Sequence, residues 1–182
     1  MADSPVVSVY GSAGVHPGHP TYQAAEELGR LLGAAGYRVL TGGYGGVMEA
    51  ASKGAHEAGG HVIGVTVALF ERTGRRSGPN PYIDELITYD LLSDRLLHVV
   101  KYADAAVACG GGIGTLSEVT LLWSLMQTGE KAPIPFVLLG KHWDAFLRAY
   151  FDSGEYVRPG DMDLVRVAHT PAEALRLIQE WG

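Results

Sequence analysis

The apolar positions of this chain fall in short bursts separated by amphipathic stretches. Val6 to Tyr10 (VVSVY) is a β-branched burst stopped by Gly11, the pattern of a strand. From Tyr22, the run YQAAEELGRLLGAAG places Ala25, Leu28, Leu31 and Leu32 at helical spacing, and Gly36 stops it. The alternation repeats. YRVLTGG predicts a second strand, VMEAASKGAHEAGG a helix with a Gly-Gly stop, and HVIGVTV a third strand. A polar stretch rich in Gly and Pro, Glu71 to Tyr82, reads as a loop. ELITYD then predicts a strand, LLSDRLLHVVKYA a helix, DAAVACGG a fifth strand and GTLSEVTLLWSLMQTGE the helix behind it. IPFVLLG and HWDAFLRAYFDSG follow as strand and helix. DLVRVAHT and PAEALRLIQEWG close the series in the same way, with Thr170 as N-cap and Pro171 in the first turn.

The strand bursts are continuous rather than alternating. A strand buried on both faces has that pattern, and strands interleaved with helices give a parallel sheet. The expected fold is α/β: a single doubly wound, Rossmann-like domain over residues 1–182, with a mainly parallel sheet and helices on both faces.

Three strands run into glycines: Gly11-Ser12 after the first, Gly42 to Gly46 after the second, and Gly110 to Gly114 before Thr115 after the fifth. In a parallel sheet the carboxyl ends share one edge, where ligands bind. A Gly-rich turn entering a helix offers free backbone N–H groups and the positive end of the helix dipole. Three such turns on one edge predict a ligand that carries phosphate. Two nucleotide motifs are absent. A Walker loop needs Lys behind its glycines, where GGGIGTLSE has Leu116 and Ser117, and Gly11, Gly14 and Gly18 lack the dinucleotide spacing.

Composition narrows the partners. The formal net charge of −6 over 182 residues argues against binding a nucleic acid polymer. Cys109 is the one cysteine, so an intrachain disulfide is excluded and a reducing compartment fits. The opening residues lack the basic and apolar regions of a signal peptide. No apolar run reaches the ~18–20 residues of a membrane span. A cytoplasmic protein without a membrane partner is expected. The 7 histidines show no metal-ligand spacing, so no metal is expected. His16 and His19, beside Pro17 and Pro20, are expected at the surface, and Cys109 as a buried thiol.

Two charged residues carry alternatives. Glu118 lies three residues behind Thr115, which fits a capping box; it also fits a carboxylate facing the ligand edge. Arg95, in LLSDRLL, fits a solvated helix residue paired with Asp94 or Glu85. Arg72, Arg75 and Arg76 make a basic loop on the ligand edge, either solvated or touching phosphate or a partner. The apolar helix with Trp123 and Met126 packs in the core or forms a dimer interface.

GGYGGVMEAASKGAHEAGGHVIGV followed by GGGIGTLSE, with an arginine ahead of it, resembles the LOG (Lonely Guy) family over roughly residues 5 to 140. These proteins were once described as possible lysine decarboxylases. The resemblance implies cytokinin riboside 5′-monophosphate phosphoribohydrolase activity: AMP or an N6-modified AMP would give free base and ribose 5-phosphate. Gly110 stands at the proline of the family's Pro-Gly-Gly-x-Gly-Thr-x-x-Glu, and Gly111, Gly112, Gly114, Thr115 and Glu118 match the rest. Arg95 takes the place of the family's Met-x-x-Arg-Lys arginine, with Leu92 and Leu96 replacing its methionine and lysine. The resemblance thus implies catalytic roles for Arg95 and Glu118. It implies that Gly111, Gly112, Gly114 and Thr115 hold the 5′-phosphate, with Ser12, Gly43, Gly45, Gly46 and Met48 as the remaining wall. It implies a homodimer and no cofactor. A different class stays open, a non-catalytic nucleotide or molybdenum-cofactor carrier of similar fold.

Overall fold

The computed structural model describes residues 4–75, 78–151, 156–158 and 160–181. Its strands are β1 (Val6–Tyr10), β2 (Arg38–Thr41), β3 (Val62–Val67), β4 (Glu85–Tyr89), β5 (Ala105–Ala108), β6 (Phe136–Leu139) and β7 (Arg166–Ala168). The helices are α1 (Pro20–Ala34), α2 (Val47–Glu57), α3 (Ala68–Arg72), α4 (Leu92–Lys101), α5 (Ile113–Gln127), α6 (His142–Phe151) and α7 (Pro171–Gln179). The strands form one sheet in the order β4-β3-β2-β1-β5-β6-β7, and each pairing is parallel. The order reverses between β1 and β5, which makes that junction the switch point.

The alternating strand side chains divide the core. Val7, Val9, Val39, Val62, Val107 and Val137 pack with Leu28, Leu32, Val47, Ala51 and Ile178 of α1, α2 and α7. Leu40, Ile63, Val65, Ala108, Phe136 and Leu138 pack with Val99, Leu122, Trp123, Met126 and Trp143 of α4, α5 and α6. Each fully buried Val, Leu or Phe contributes about 1.5–3 kcal/mol, which is why the strands read as continuous apolar runs. Trp123 and Met126 are core residues, and the indole N–H of Trp123 donates to the Asp161 carbonyl at 2.9 Å. Cys109 is buried in the first layer, and burial pushes its thiol up to about 12.

α1 and α2 meet at very short range. A methyl group at Gly29 or Gly54 would run into the backbone of Ala51 or Glu26. Small residues there let α2 lie flat on α1, which fixes where α2 begins.

Some elements depart from the sequence reading. A short helix, α3, covers Ala68 to Phe70, which the sequence reading left unassigned, and runs into the loop expected from Glu71. The helix α1 starts at Pro20, with His19 Nδ1 accepting from the Thr21 amide at 3.1 Å. A 3-10 turn, Asp161–Leu164, replaces the start of the last expected strand. Arg76 and Asp152 to Gly154 lie outside the described residues. Among the described residues, no helix is long and apolar enough to cross a membrane, and no cluster of His, Cys, Asp and Glu could hold a metal.

Candidate active site

The turn after β1 is the hub of the sheet edge. The Ser12 amide donates to the Gly110 carbonyl at 3.0 Å, and the Ser12 carbonyl accepts from the Val47 amide at 2.8 Å. These two bonds tie the turns after β1, β2 and β5 together. Several glycines exist for this interlocking. At Gly11 a methyl would collide with Val47, and at Gly46, where φ is +72°, it would collide with the backbone at Ser12 and Ala13.

Above the hub lies a cavity of about 530 Å³. Its wall includes Tyr10, Ser12, Gly14, Gly42 and Met48 on one side, and Gly112, Gly114, Thr115 and Glu118 on the other. α5 begins at Ile113 with Gly112 as N-cap, and no side chain caps it. The amides of its first turn have no carbonyl within the helix to bond. They lie at the positive end of a 15-residue helix, an arrangement that suits an anion. Around Gly112 and Gly114 nothing lies within 4 Å of where a methyl would stand, so a ligand can approach their backbone.

The sequence-expected residues separate into two groups. Ser12, Met48, Gly112, Gly114, Thr115, Arg95 and Glu118 line the cavity. Gly43, Gly45, Gly46 and Gly111 do not. The Gly43 amide donates to Thr41 Oγ1 at 3.2 Å and its carbonyl accepts from the Asn80 amide at 2.8 Å. Gly111 packs against Thr115 and the Ser12 amide. These glycines shape the turns rather than face the cavity.

Arg95 and Glu118 meet on the cavity wall. Arg95 Nη1 donates to Glu118 Oε1 at 2.8 Å, with each side chain about 10% exposed. Arg95 Nε donates to the Val65 carbonyl at 3.0 Å, and Nη2 lies 4.0 Å from Met48 Sδ. The guanidinium lies so close over Gly42 that any side chain there would displace it. Burial raises the Glu118 carboxyl above its ordinary range, and the charge and hydrogen bond of Arg95 pull it back down. Tyr10, beneath the pair, is raised by its own burial and then by the negative charge of Glu118. The arrangement presents one oxygen of a buried carboxylate, Oε1, to a fixed cation. Oε2 has no protein donor among the described residues.

This geometry decides both alternatives. Thr115 lies inside α5, so Thr115 and Glu118 form no capping box. Arg95 is buried rather than solvated, and Glu85 bonds Arg38 instead at 2.7 Å. Sequence reading missed Tyr10, Gly42, Tyr44, Phe70 and Leu92 in the wall; Arg75, expected in a basic loop either solvated or touching a ligand, lines it as well. The clue to Tyr10 and Gly42 was their place at the ends of β1 and β2. Nothing local marks Phe70, because it depends on the unexpected α3.

The SLOG cluster4 family model matches residues 4–128. An uncharacterised protein of Archaeoglobus fulgidus is 38% identical over 101 residues, 56% of this chain and 63% of its own length. The chain therefore spans less than two thirds of that relative. The cytokinin riboside 5′-monophosphate phosphoribohydrolase of Mycobacterium tuberculosis is 30% identical over 177 residues, 93% of this chain and 91% of that one. Among solved structures, the molybdenum cofactor binding protein of the phototrophic bacterium Rippkaea orientalis superposes with a TM-score of 0.75 at 29% identity, covering 98% of both chains.

Proposed function

This chain belongs to the LOG family, and on that premise we propose that it hydrolyses the N-glycosidic bond of a purine nucleoside 5′-monophosphate. The products are free base and ribose 5-phosphate. The observation that carries the reading is the buried Arg95–Glu118 pair at 2.8 Å beside the open start of α5. The amides of Gly112, Gly114 and Thr115 take the 5′-phosphate, and that anchor positions the sugar. As the bond from C1′ to the base nitrogen breaks, its electron pair leaves with the base and the sugar becomes oxocarbenium-like. The Glu118 carboxylate stabilises that charge or orients the water whose oxygen bonds C1′. Water supplies hydroxide to the sugar and a proton to the departing base. The Arg95 guanidinium favours the ionised form of Glu118 against the effect of burial and offers its remaining N–H groups to the ribose.

Residues 1–182 act as one nucleotide-binding domain in the cytoplasm, without metal or cofactor. The working form is a homodimer. Leu92 and Ile113, 44% and 81% exposed at the cavity rim, are the apolar surface a second copy covers. Light scattering of the purified protein reads this directly.

The test is release of base from AMP and N6-isopentenyl AMP, followed by chromatography, with Glu118→Gln as control. Release by the parent protein and not by the variant supports the hydrolase. The likeness to the Rippkaea molybdenum cofactor binding protein favours a second reading, a non-catalytic carrier of a nucleotide or of that cofactor. Nucleotide binding without release in either protein would favour it.

A further inference from the structure

We propose that Arg75 selects the ring of the ligand, reading a 6-oxopurine in preference to a 6-aminopurine. This deepens the nucleotide reading above and rests on it. The cavity wall carries two cations and one carboxylate: Arg75, Arg95 and Glu118. Arg95 is committed to Glu118, the Val65 carbonyl and Met48. Arg75 differs. Its backbone amide donates to the Phe70 carbonyl at 2.8 Å and its guanidinium lies 5.4 Å from the centre of the Phe70 ring. No carboxylate or carbonyl among the described residues accepts from that guanidinium, whereas neighbouring Arg72 pairs with Asp90 at 3.4 Å.

Arg75 and the phosphate cradle come from different strands of the sheet edge. Phe70 and Arg75 follow β3, and the cradle follows β5, three places along the sheet. Those two strands lie roughly 14 Å apart at the strand spacing, which assigns Arg75 to the opposite end of a bound nucleotide. Tyr44 is buried, with its hydroxyl held by both the amide and the carbonyl of Val67, and backs Phe70 at 5.9 Å between ring centres and a tilt of 48°. The Phe70 ring and the Arg75 guanidinium are groups on which a base can stack. Phe70 and Arg75 also line a second hollow with Leu69 and Thr73.

Arginine only donates hydrogen bonds. A 6-oxopurine presents O6 and N7 as two acceptors on one edge, which the guanidinium fork matches. A 6-aminopurine keeps N7 but sets an N–H donor against the fork, and an N6-alkyl group adds bulk at the same point. The unpaired fork therefore favours guanine and hypoxanthine nucleotides.

The experiment is calorimetric titration of GMP, IMP, AMP and N6-isopentenyl AMP into Glu118→Gln, which does not consume them, and into Glu118→Gln with Arg75→Gln. GMP and IMP are expected to bind about tenfold tighter than AMP. Arg75→Gln should bring that ratio close to one by weakening GMP and IMP far more than AMP. Arg75→Lys, with the charge but not the fork, should retain only part of the ratio. AMP binding as tightly as GMP, or an unchanged ratio in Arg75→Gln, overturns the proposal. Should Glu118→Gln fail to fold, kcat/KM for GMP over AMP in the parent protein and in Arg75→Gln reads the same ratio. Oxopurine preference in a protein that releases no base upholds ring selection and overturns the hydrolase. Equal release from GMP and AMP does the reverse. Absence of any nucleotide binding overturns both.

Discussion

The chain contains the pattern Thr-x-x-Glu at Thr115–Glu118 and again at Thr170–Glu173, and folding gives the two copies opposite fates. At α7, Thr170 is the N-cap in extended conformation, and its hydroxyl accepts from the Glu173 amide at 3.2 Å. The Glu173 carboxylate reaches back to the His169 amide at 2.8 Å. At α5 the helix starts two residues ahead of Thr115, behind Gly112, and the Glu118 carboxylate goes to Arg95. Pro171 holds the α7 copy in place, because its fixed φ suits a first helical position. The α5 copy has no such stop. Its carboxylate is claimed by a cation from α4. A local motif of this kind states what a helix start could use; the tertiary partner decides whether it does.

Substitution can break that contrast. Glu118→Gln should lower turnover by about 10²–10⁴-fold, the share expected of an acting carboxylate, while Glu173→Gln leaves turnover intact. Rates of base release check both, and equal losses would erase the distinction. Arg95→Met leaves Glu118 buried without its cation and should cost about 3–5 kcal/mol, read by denaturant unfolding.

Glu118 also gives the protein a pH dependence. Burial raises Glu118, and Arg95 opposes the rise. Activity that needs the carboxylate therefore falls on an acid limb above the ordinary Glu range, and Arg95→Met moves the limb further up. Stability runs the other way. The native state holds this proton more tightly than the unfolded chain, so the contribution is complete below the ordinary Glu value. It is lost as pH rises through the native one. A pH–rate profile and unfolding midpoints at several pH values measure both slopes. Thr170→Ala makes the mildest change. It should cost about 1 kcal/mol as a lowered melting temperature, with no effect on turnover.

The sheet was legible because each strand is buried on both faces, and burial writes itself as an unbroken apolar run. The chain order of the strands and the three Gly-rich turns followed from that. The division of labour among the glycines was not legible. Gly43 and Gly112 look alike in sequence, yet one closes a turn against Thr66 and the other faces open space. Only the packing of three separate turns separates them. Phe70 was hidden for another reason: α3 is a five-residue helix with too little periodicity to stand out from the strand before it. Arg95 and Glu118 lie 23 positions apart, and no short-range pattern records that they touch.

The flat contact between α1 and α2 limits how this protein can be engineered. Replacing helical Gly with Ala is a common route to thermostability, worth up to about 1 kcal/mol in helix propensity. Gly29, Gly33 and Gly54 look like open invitations to it. Each added methyl would instead wedge backbone from backbone. α2 carries Met48, which lies against the Arg95 guanidinium. The wedge would be felt at the far end of that lever, so substitutions remote from the cavity reach the Arg95–Glu118 pair through α2.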